Sequence, residues 1–363
     1  MRFLVVAGAR PNFMKVAPVM EAFRQRSRPD VEVLLVHTGQ HYDPEMSGHF
    51  FQDLDIPTPD INLGVGSGTH AQQTARVMVA FETVCFERKP GWVVVVGDVN
   101  STLACALTAK KLGIRVAHVE AGLRSGDMTM PEEINRICTD AIADLLFCTD
   151  APACQNLRRE GLPEERIHFV GNTMIDTLRR HIDRARAKPL PAGFSPGEFA
   201  VLTLHRPSNV DHRDTLRGIF QAIAGISQRL PVAFPIHPRT LARASEFGLL
   251  EALQAQPGIR LLEPLSYLSF LGLVAHCRLV LTDSGGIQEE TTVLGVPCLT
   301  LRSNTERPIT CELGTNILVG SDGERIRQTA FALLERSRQA PCVPDKWDGH
   351  AAERIVDILL AAT

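Results

Sequence analysis

The sequence predicts an α/β fold with two doubly wound, Rossmann-like domains and a central cleft. Three observations support this fold class. Short apolar, β-branched runs alternate with helical patterns, this rhythm stops once and restarts, and 363 residues exceed what a single core of ordinary size needs. Together they predict two parallel sheets, each covered by helices on both faces.

The strand patterns of the first half end in Gly, His or Asp: RFLVVAG, VEVLLVHTG, WVVVVGD, RVAHVEAG and DLLFCTD. The rhythm stops in the Pro/Gly-rich residues 187–198, AKPLPAGFSPGE, which we interpret as a linker. It restarts with FAVLTLH, VAFPIH, IRLLEP, RLVLTDSGG and VPCLTL. We assign the domains to residues 1–171 and 172–349. A last helical pattern, residues 350–363, can pack on either domain, and we expect it to return to the first.

Composition excludes several classes of partner. Lys and Arg number 38 against 41 Asp and Glu, a formal charge of −3, so no broad basic field favours nucleic acid or an anionic membrane. The first apolar run, of five residues, is too short for a membrane span or a secretory signal. Nine cysteines without a CxxC pair predict reduced, buried thiols in a cytoplasmic protein. No metal-binding pattern or Walker A string is present, so we expect no metal.

Polar residues collect immediately after the strand patterns. Because the carboxyl ends of parallel strands share one edge of a sheet, a ligand is expected there. Any single position can be an ordinary turn, but seven similar strand ends predict a shared cleft. These strand ends are Gly8-Ala9-Arg10, Thr38-Gly39-Gln40-His41, Gly97-Asp98, Glu120-Ala121-Gly122, His205-Arg206, His237-Pro238 and Asp283-Ser284-Gly285-Gly286.

The segment TDSGGIQEE predicts a phosphate site. It follows a strand and opens a helix, so the amides of Ser284, Gly285 and Gly286 lie at the positive helix end. Glu290, one turn further on, is placed to accept hydrogen bonds from ribose hydroxyls. Arg10 and Lys15 supply cations at another strand-to-helix junction, and the two groups together indicate a diphosphate. A tight turn capped by Ser284 is the alternative.

Four residues are candidates for acid–base chemistry: Asp98, Glu120, Glu132 and His205. Helix capping is the alternative for Asp98, which precedes a helical pattern, and for Glu132, which follows Pro131. The segment GSGTHA, residues 66–71, formally matches a dinucleotide fingerprint, but it does not follow the first strand. We therefore expect no nicotinamide cofactor.

Segments of these motifs, read in chain order, carry a family resemblance. They are GARPNFMKVAP, TGQHYDPEMS, GDVNSTLACAL, HVEAGLRSGDMTMPEEINR, HFVGNTMIDTL, TLHRPSNVD and LTDSGGIQEETTVLGVPCLTLRSNTERP. The chain resembles the non-hydrolysing UDP-N-acetylglucosamine 2-epimerases nearly from end to end. The resemblance implies a GT-B-like fold in which UDP is held mainly by the second domain and the sugar faces the first. It further implies a homodimer, no cofactor and a place in cell-surface polysaccharide biosynthesis.

The resemblance also implies roles for individual positions. Those matching the family's UDP contacts are Arg10, Lys15, His205, Phe270, Ser284, Gly285, Gly286, Glu290 and Arg307. Those matching its catalytic groups are Asp98, Glu120, Glu132 and His205. Gln40, His41 and His237 match parts of an activating UDP-sugar site in bacterial members.

The implied reaction is epimerisation at C2 of the sugar. The C2 proton is not next to a carbonyl, so loss of UDP from C1 is needed to form 2-acetamidoglucal, and re-addition of UDP gives the epimer. The short stretch between Gly126 and Pro131 also resembles the epimerases of UDP-2,3-diacetamido-2,3-dideoxyglucuronate. A hydrolysing 2-epimerase and a GT-B glycosyltransferase are two more candidate activities, and a UDP-sugar-binding regulator is the candidate from another class.

Overall fold

Each of the two strand-and-helix rhythms forms its own parallel sheet. The computed structural model describes residues 1–39, 54, 58–336 and 342–363, and of Arg10 only the backbone. One compact unit comprises Met1–Arg180 and Asp345–Thr363, and the other comprises His181–Pro344. The predicted domain boundaries, after residues 171 and 349, lie near the limits of these units, after residues 180 and 344.

The first unit contains a seven-stranded sheet in the order β3-β2-β1-β4-β5-β6-β7. Its strands are β1 Arg2–Ala7, β2 Glu32–His37, β3 Ile61–Asn62, β4 Trp92–Val96, β5 Arg115–Ala121, β6 Leu145–Cys148 and β7 Ile167–Phe169. Its described helices are α1 Arg10–Arg26, α2 His70–Arg88, α3 Asn100–Lys111, α4 Pro131–Ile142, α5 Ala151–Arg159 and, beginning in this unit, α6 Thr173–Arg186. Every residue of β4 is buried, as expected of a central parallel strand covered on both faces.

The second unit contains a six-stranded sheet in the order β10-β9-β8-β11-β12-β13. Its strands are β8 Ala200–Thr203, β9 Val232–Pro235, β10 Ile259–Leu262, β11 Leu279–Thr282, β12 Cys298–Thr300 and β13 Asn316–Leu318. Its described helices are α7 Pro207–Val210, α8 Arg213–Ser227, α9 Pro238–Glu246, α10 Leu250–Gln254, α11 Tyr267–His276, α12 Gly285–Leu294, α13 Ile309–Glu312 and α14 Gly323–Leu334.

Both sheets are doubly wound, which confirms the predicted fold class. All neighbouring strands are parallel, and in each sheet the chain starts in the middle and reverses its direction of growth once. The reversals lie between β1 and β4 and between β8 and β11. Ligands of open α/β sheets bind outside the carboxyl ends of the strands at such a switch point. The switch points therefore locate two candidate groups of residues, one in each unit.

The last helix, α15 (Ala351–Ala361), belongs to the first unit. Asp357 makes two hydrogen bonds with Arg26, at 2.7 and 2.9 Å. Asp176 of α6 accepts hydrogen bonds from the amides of Ala351 and Ala352, at 3.2 and 2.7 Å. The first turns of α6 thus support the first unit, which explains why this unit extends past residue 171.

All nine cysteines are free thiols. Six are buried, as the sequence predicts, but Cys138 and Cys342 are exposed and Cys311 is half-buried. Throughout the described part of the chain, no helix combines the length and apolar character required to cross a membrane.

Candidate active site

At the switch point of the second unit, a histidine lies beside a buried carboxylate. His205 Nδ1 is 2.9 Å from Asp283 Oδ1. The fully buried Asp283 also accepts hydrogen bonds from the amides of His205 and Arg206, at 3.1 and 2.9 Å, and from the Asn209 side chain at 3.1 Å. The carboxylate therefore fixes both the imidazole ring and the backbone that follows β8.

The charge on Asp283 determines how His205 presents its ring. Burial alone raises the pKa of the Asp283 carboxyl, but the hydrogen bonds and charge of His205, with the two backbone amides, lower that pKa below its ordinary value. An ionised Asp283 requires a proton on His205 Nδ1, which leaves Nε2 to act on a ligand. Asp283 is one of the strand-end residues in the sequence, and its position directly after β11 is the signal from which this role could have been predicted.

Helix α12 begins at the same switch point, at Gly285. Its N-cap residue, Ser284, makes no side-chain capping hydrogen bond, and the Ser284 amide donates to Thr282 Oγ1 at 3.0 Å. The expected alternative, a turn capped by Ser284, is therefore wrong. The first-turn amides of Gly285 and Gly286 have no partner within the helix, and together with the helix dipole they favour an anion.

Gly285 allows a guanidinium group to approach the start of α12. A Cβ atom on Gly285 would lie 2.6 Å from Arg307 Nη1 and 2.7 Å from Glu306 Oε1. Arg307 Nη1 is 2.6 Å from Glu306 Oε1, and Arg307 Nε is 2.7 Å from Glu289 Oε1. Arg307, predicted from sequence as a UDP contact, is thus held next to the SGG turn.

Two further arginines surround Glu306. Arg302 Nη2 lies 2.8 Å from Glu306 Oε2, and Arg206 Nη2 lies 3.7 Å from Glu306 Oε1. Burial alone raises the pKa of Glu306, but the charges of Arg307, Arg302 and Arg206 hold it well below its ordinary value. Three guanidinium groups against the carboxylates of Glu306 and Glu289 leave this cluster with one positive charge. This net positive charge is suited to an anionic ligand at the N-terminus of α12.

Glu290, expected near ribose hydroxyls, is buried in α12. Its Oε1 accepts a hydrogen bond from the Tyr267 hydroxyl at 2.9 Å. Burial raises the pKa of Glu290 to about 7, with the Tyr267 hydrogen bond opposing that rise and the charge of Glu289 adding to it. Sequence reasoning did not identify Tyr267, which is 23 residues away in the chain.

This raised pKa predicts that stability falls as pH increases. The unfolded chain ionises Glu290 near 4.5, whereas the folded protein keeps the proton until about pH 7. Across that window Glu290 should lower the free energy of unfolding by up to roughly 3 kcal/mol, at 1.36 kcal/mol per pKa unit. Urea unfolding at pH 5 and pH 8 measures the change in the free energy of unfolding between these values. This change should lose the contribution of Glu290 in Glu290→Gln and should retain it in Glu251→Gln, a substitution at an exposed position. Equal pH dependence in wild type and Glu290→Gln would contradict the assignment.

Of the remaining second-unit residues predicted from sequence, His237 lies beside His205. The His237 ring centroid is 5.7 Å from that of His205, and His237 Nδ1 accepts the Arg239 amide at 3.2 Å. Burial and the charge of His205 lower the pKa of His237. Phe270 is half-buried on α11 and packs against the second unit's core. Of the residues matched to an activating site, His237 therefore adjoins His205, whereas Gln40 and His41 lie outside the described residues.

The first unit contributes a separate group at the carboxyl end of β5. Glu120 is only 5% exposed and forms a close ion pair with Lys15 of α1. Its φ angle is +72°, and it lies where the β5–β6 register shifts between Val119 and Ala121. A bulge at this position re-aims a side chain, and a left-handed conformation at a non-glycine residue costs of order 1–3 kcal/mol. The fold therefore holds Glu120 in an unfavourable backbone conformation.

Gly97 brings the end of β4 close to this ion pair. A Cβ atom on Gly97 would lie 3.3 Å from Glu120 Oε2 and 3.4 Å from Lys15 Nζ. Its φ angle is +70°, a conformation that glycine adopts without steric cost. The turn at Gly97 delivers Asp98 to the same end of the sheet.

Asp98 does not cap the following helix, so that interpretation is wrong. Helix α3 begins after Val99 without a side-chain cap, whereas Asp98 Oδ2 lies 3.0 Å from Arg136 Nε and 2.8 Å from Arg136 Nη2. Glu132 is half-buried in the first turn of α4, where no side chain caps the helix. Asp98 therefore pairs with Arg136, which belongs to the same helix as Glu132. Arg136 was not identified from sequence.

The predicted side-chain contacts of Arg10 cannot be placed, because its side chain lies outside the described residues. Its backbone starts α1, directly after β1 at the switch point. Pro11 occupies the first turn of this helix, as the sequence predicts.

Comparison with known proteins identifies the family. The profile described as UDP-N-acetylglucosamine 2-epimerase matches residues 24–360. The chain belongs to the UDP-N-acetylglucosamine 2-epimerase family. A family member from Methanocaldococcus jannaschii, named UDP-N-acetylglucosamine 2-epimerase, is 42% identical over 99% of both chains. A Pseudomonas aeruginosa relative named UDP-2,3-diacetamido-2,3-dideoxy-D-glucuronate 2-epimerase is 41% identical, over 93% of this chain and 94% of the relative.

Family members of known structure share the fold. The crystal structure of the M. jannaschii UDP-GlcNAc 2-epimerase in complex with UDP-GlcNAc and UDP covers 99% of this chain and 100% of its own. Its TM-score is 0.91 at 42% identity. The GT-B-like class expected from the resemblance is therefore confirmed by a 2-epimerase that binds a UDP-sugar.

Proposed function

We propose that this epimerase family member interconverts UDP-N-acetylglucosamine and UDP-N-acetylmannosamine by anti elimination and re-addition of UDP, without hydrolysis. The observation that carries the proposal is the difference between the two switch points. That of the second unit is cationic, with Arg307 beside the start of α12. That of the first unit supplies carboxylates suited to proton transfer.

The second-unit group is suited to a diphosphate leaving group. The amides of Gly285 and Gly286 and the Arg307 guanidinium favour negative charge, and that charge increases as the bond from C1 to the diphosphate oxygen breaks. Glu290 accepts a ribose hydroxyl, and Phe270 lies beside the uracil. His205, oriented by Asp283, adds a polar contact through Nε2. Arg10 and Lys15 complete the proposed UDP contacts.

The first-unit carboxylates are suited to the C2 proton. In the elimination, one carboxylate accepts this proton, the C–H electron pair forms the C1–C2 double bond, and UDP leaves with the C1–O pair. In the return, a proton is delivered to the other face of C2 and the UDP oxygen attacks C1. Asp98, Glu120 and Glu132 belong to three different segments of the first unit, so we assign the transfers on the two faces of C2 to different members of this set. The cycle is redox-neutral.

One alternative substrate has specific support. The P. aeruginosa relative acts, by its name, on a UDP-2,3-diacetamido-2,3-dideoxyglucuronate, and the short stretch from Gly126 to Pro131 resembles that branch. Assays with both UDP-sugars decide between them. The product distinguishes three competing functions, because a hydrolysing epimerase releases free N-acetylmannosamine, a glycosyltransferase forms a glycoside and a binding protein forms neither.

The proposal includes a homodimer, by resemblance to the family, and a cytoplasmic location. Nine free thiols are typical of a reducing compartment. The formal charge of −3 gives no reason to expect a nucleic acid or membrane partner.

The proposed mechanism predicts exchange of the C2 hydrogen with solvent. In deuterated water, UDP-N-acetylglucosamine should acquire deuterium at C2 in both epimers without added NAD or metal, because elimination removes that proton. A proton NMR time course measures the exchange directly. Epimerisation that keeps the original C2 hydrogen would exclude elimination, and absence of epimerisation with either UDP-sugar would exclude the function.

A further inference from the structure

His118 of β5 is fully buried, and both of its ring nitrogens face oxygen acceptors. Nδ1 lies 2.7 Å from Asp140 Oδ1, and Nε2 lies 2.8 Å from the carbonyl oxygen of Gly97. The carbonyl can only accept, so Nε2 must carry a proton. The Asp140 carboxylate is the oxygen group that faces Nδ1. Both ring nitrogens of His118 are therefore held by contacts with oxygen atoms of neighbouring elements.

Asp140 is a fully buried residue of α4 whose carboxylate faces two further donors. Its Oδ2 accepts the Gly122 amide at 3.1 Å and lies 2.8 Å from Arg124 Nη1. Burial alone raises the pKa of Asp140, but the charges and hydrogen bonds of His118 and Arg124 lower it below its ordinary value. The contacts thus form a charged bridge of Arg124, Asp140 and His118 that reaches the Gly97 carbonyl.

This bridge joins the three elements that carry the proposed acid–base residues. Gly97 immediately precedes Asp98, Gly122 lies two residues after Glu120, and Asp140 shares α4 with Glu132. The carbonyl oxygen of Asp98 is also held from α4, by the Asn135 side chain at 2.9 Å. Both carbonyls flanking the Asp98 side chain are therefore fixed by buried donors.

We propose that His118 and Asp140 are positioning residues, which hold Asp98, Glu120 and Glu132 in the relative geometry that proton transfer on both faces of C2 requires. The inference rests on the proposed function and extends it to two residues that do not contact substrate. Proton transfer demands donor–acceptor distances near hydrogen-bond length, and a misplacement of about 1 Å can cost about 10²-fold in rate. A substitution at 118 or 140 removes one link of the bridge.

The test compares His118→Gln and Asp140→Asn with His168→Gln. His168 is a matched control because it lies on edge strand β7 of the same sheet and packs on Phe147, outside the bridge. We expect kcat of the two bridge variants to fall by about 10²-fold, with UDP affinity unchanged because its main contacts lie in the second unit. The double variant should be no slower than the slower single variant, because both changes break one bridge.

The ratio of released UDP and 2-acetamidoglucal to epimerised product separates positioning from simple loss of folded enzyme. Misplaced carboxylates should slow re-addition relative to elimination, so this ratio should rise in both bridge variants. Partial unfolding lowers every rate together and leaves the ratio unchanged. A wild-type ratio and kcat in both variants would overturn the inference. Failure of wild type and His168→Gln to exchange C2 deuterium would instead contradict the proposed function.

Discussion

Asp98→Asn, Glu120→Gln and Glu132→Gln should each lower kcat by about 10²- to 10⁴-fold, the usual contribution of a positioned acid or base. UDP affinity should remain near the wild-type value, because the amides of α12 and Arg307 are unchanged. If a variant still eliminates UDP but adds it back more slowly, free UDP and 2-acetamidoglucal should accumulate. Isothermal titration with UDP, steady-state kinetics and C2 deuterium exchange measure these three effects.

A capping carboxylate provides the matched control. Asp150 caps α5 through a hydrogen bond from the Ala153 amide at 2.8 Å. Asp150→Ala should therefore cost about 1 kcal/mol of stability and leave turnover of the folded protein unchanged. If the three site variants behave like Asp150→Ala, with lower melting temperatures and normal exchange, Asp98, Glu120 and Glu132 have no catalytic role.

Arg307→Ala should weaken UDP binding by about 10- to 100-fold, since a charge-assisted hydrogen bond contributes roughly 1.5–3 kcal/mol. Turnover should fall as well, because the same guanidinium stabilises the departing diphosphate. Arg307→Lys should show a smaller loss, because it keeps the charge but not the planar fork. UDP titration and kcat/KM measure both effects.

Removal of Arg307 also takes away a positive charge that contacts both of the buried carboxylates Glu289 and Glu306, so Arg307→Ala should be less stable. Melting temperatures must therefore accompany the binding data. Arg327→Ala, which breaks an exposed pair with Glu324, is the control and should leave UDP affinity unchanged. Unaltered UDP affinity in folded Arg307→Ala would show that the diphosphate lies elsewhere.

The sequence was sufficient for the two sheets and for the switch-point positions of His205, the SGG turn and Asp98. Strand periodicity is local, and polar residues at strand ends are visible in the chain. Contacts between residues that lie far apart in the chain are not visible in this way. Arg136 lies 38 residues from Asp98, and Tyr267 lies 23 residues from Glu290, so neither partner could be identified before the helices were packed.

Two alternatives that the sequence left open, helix capping by Asp98 and helix capping by Ser284, were wrong. Asp98 and Ser284 precede helices and have side chains suited to capping, yet Asp98 bonds Arg136 and Ser284 makes no side-chain cap. Helix-terminal preferences describe averages, and at Asp98 a partner far away in the chain, Arg136, takes precedence. The compact units divide at residue 180, near the predicted boundary at 171, and the contact of Asp176 with α15 joins residues that are far apart in the chain.

The return of α15 to the first unit has a consequence for biosynthesis. The second unit interrupts the first in the chain, so α1 leaves the ribosome long before its partner helix. Ile355, Val356 and Leu359, all fully buried in the finished protein, are synthesised only after the whole second unit. During translation the second unit can fold as one continuous segment, whereas the first must wait, with an uncovered apolar surface, for the last residues of the chain.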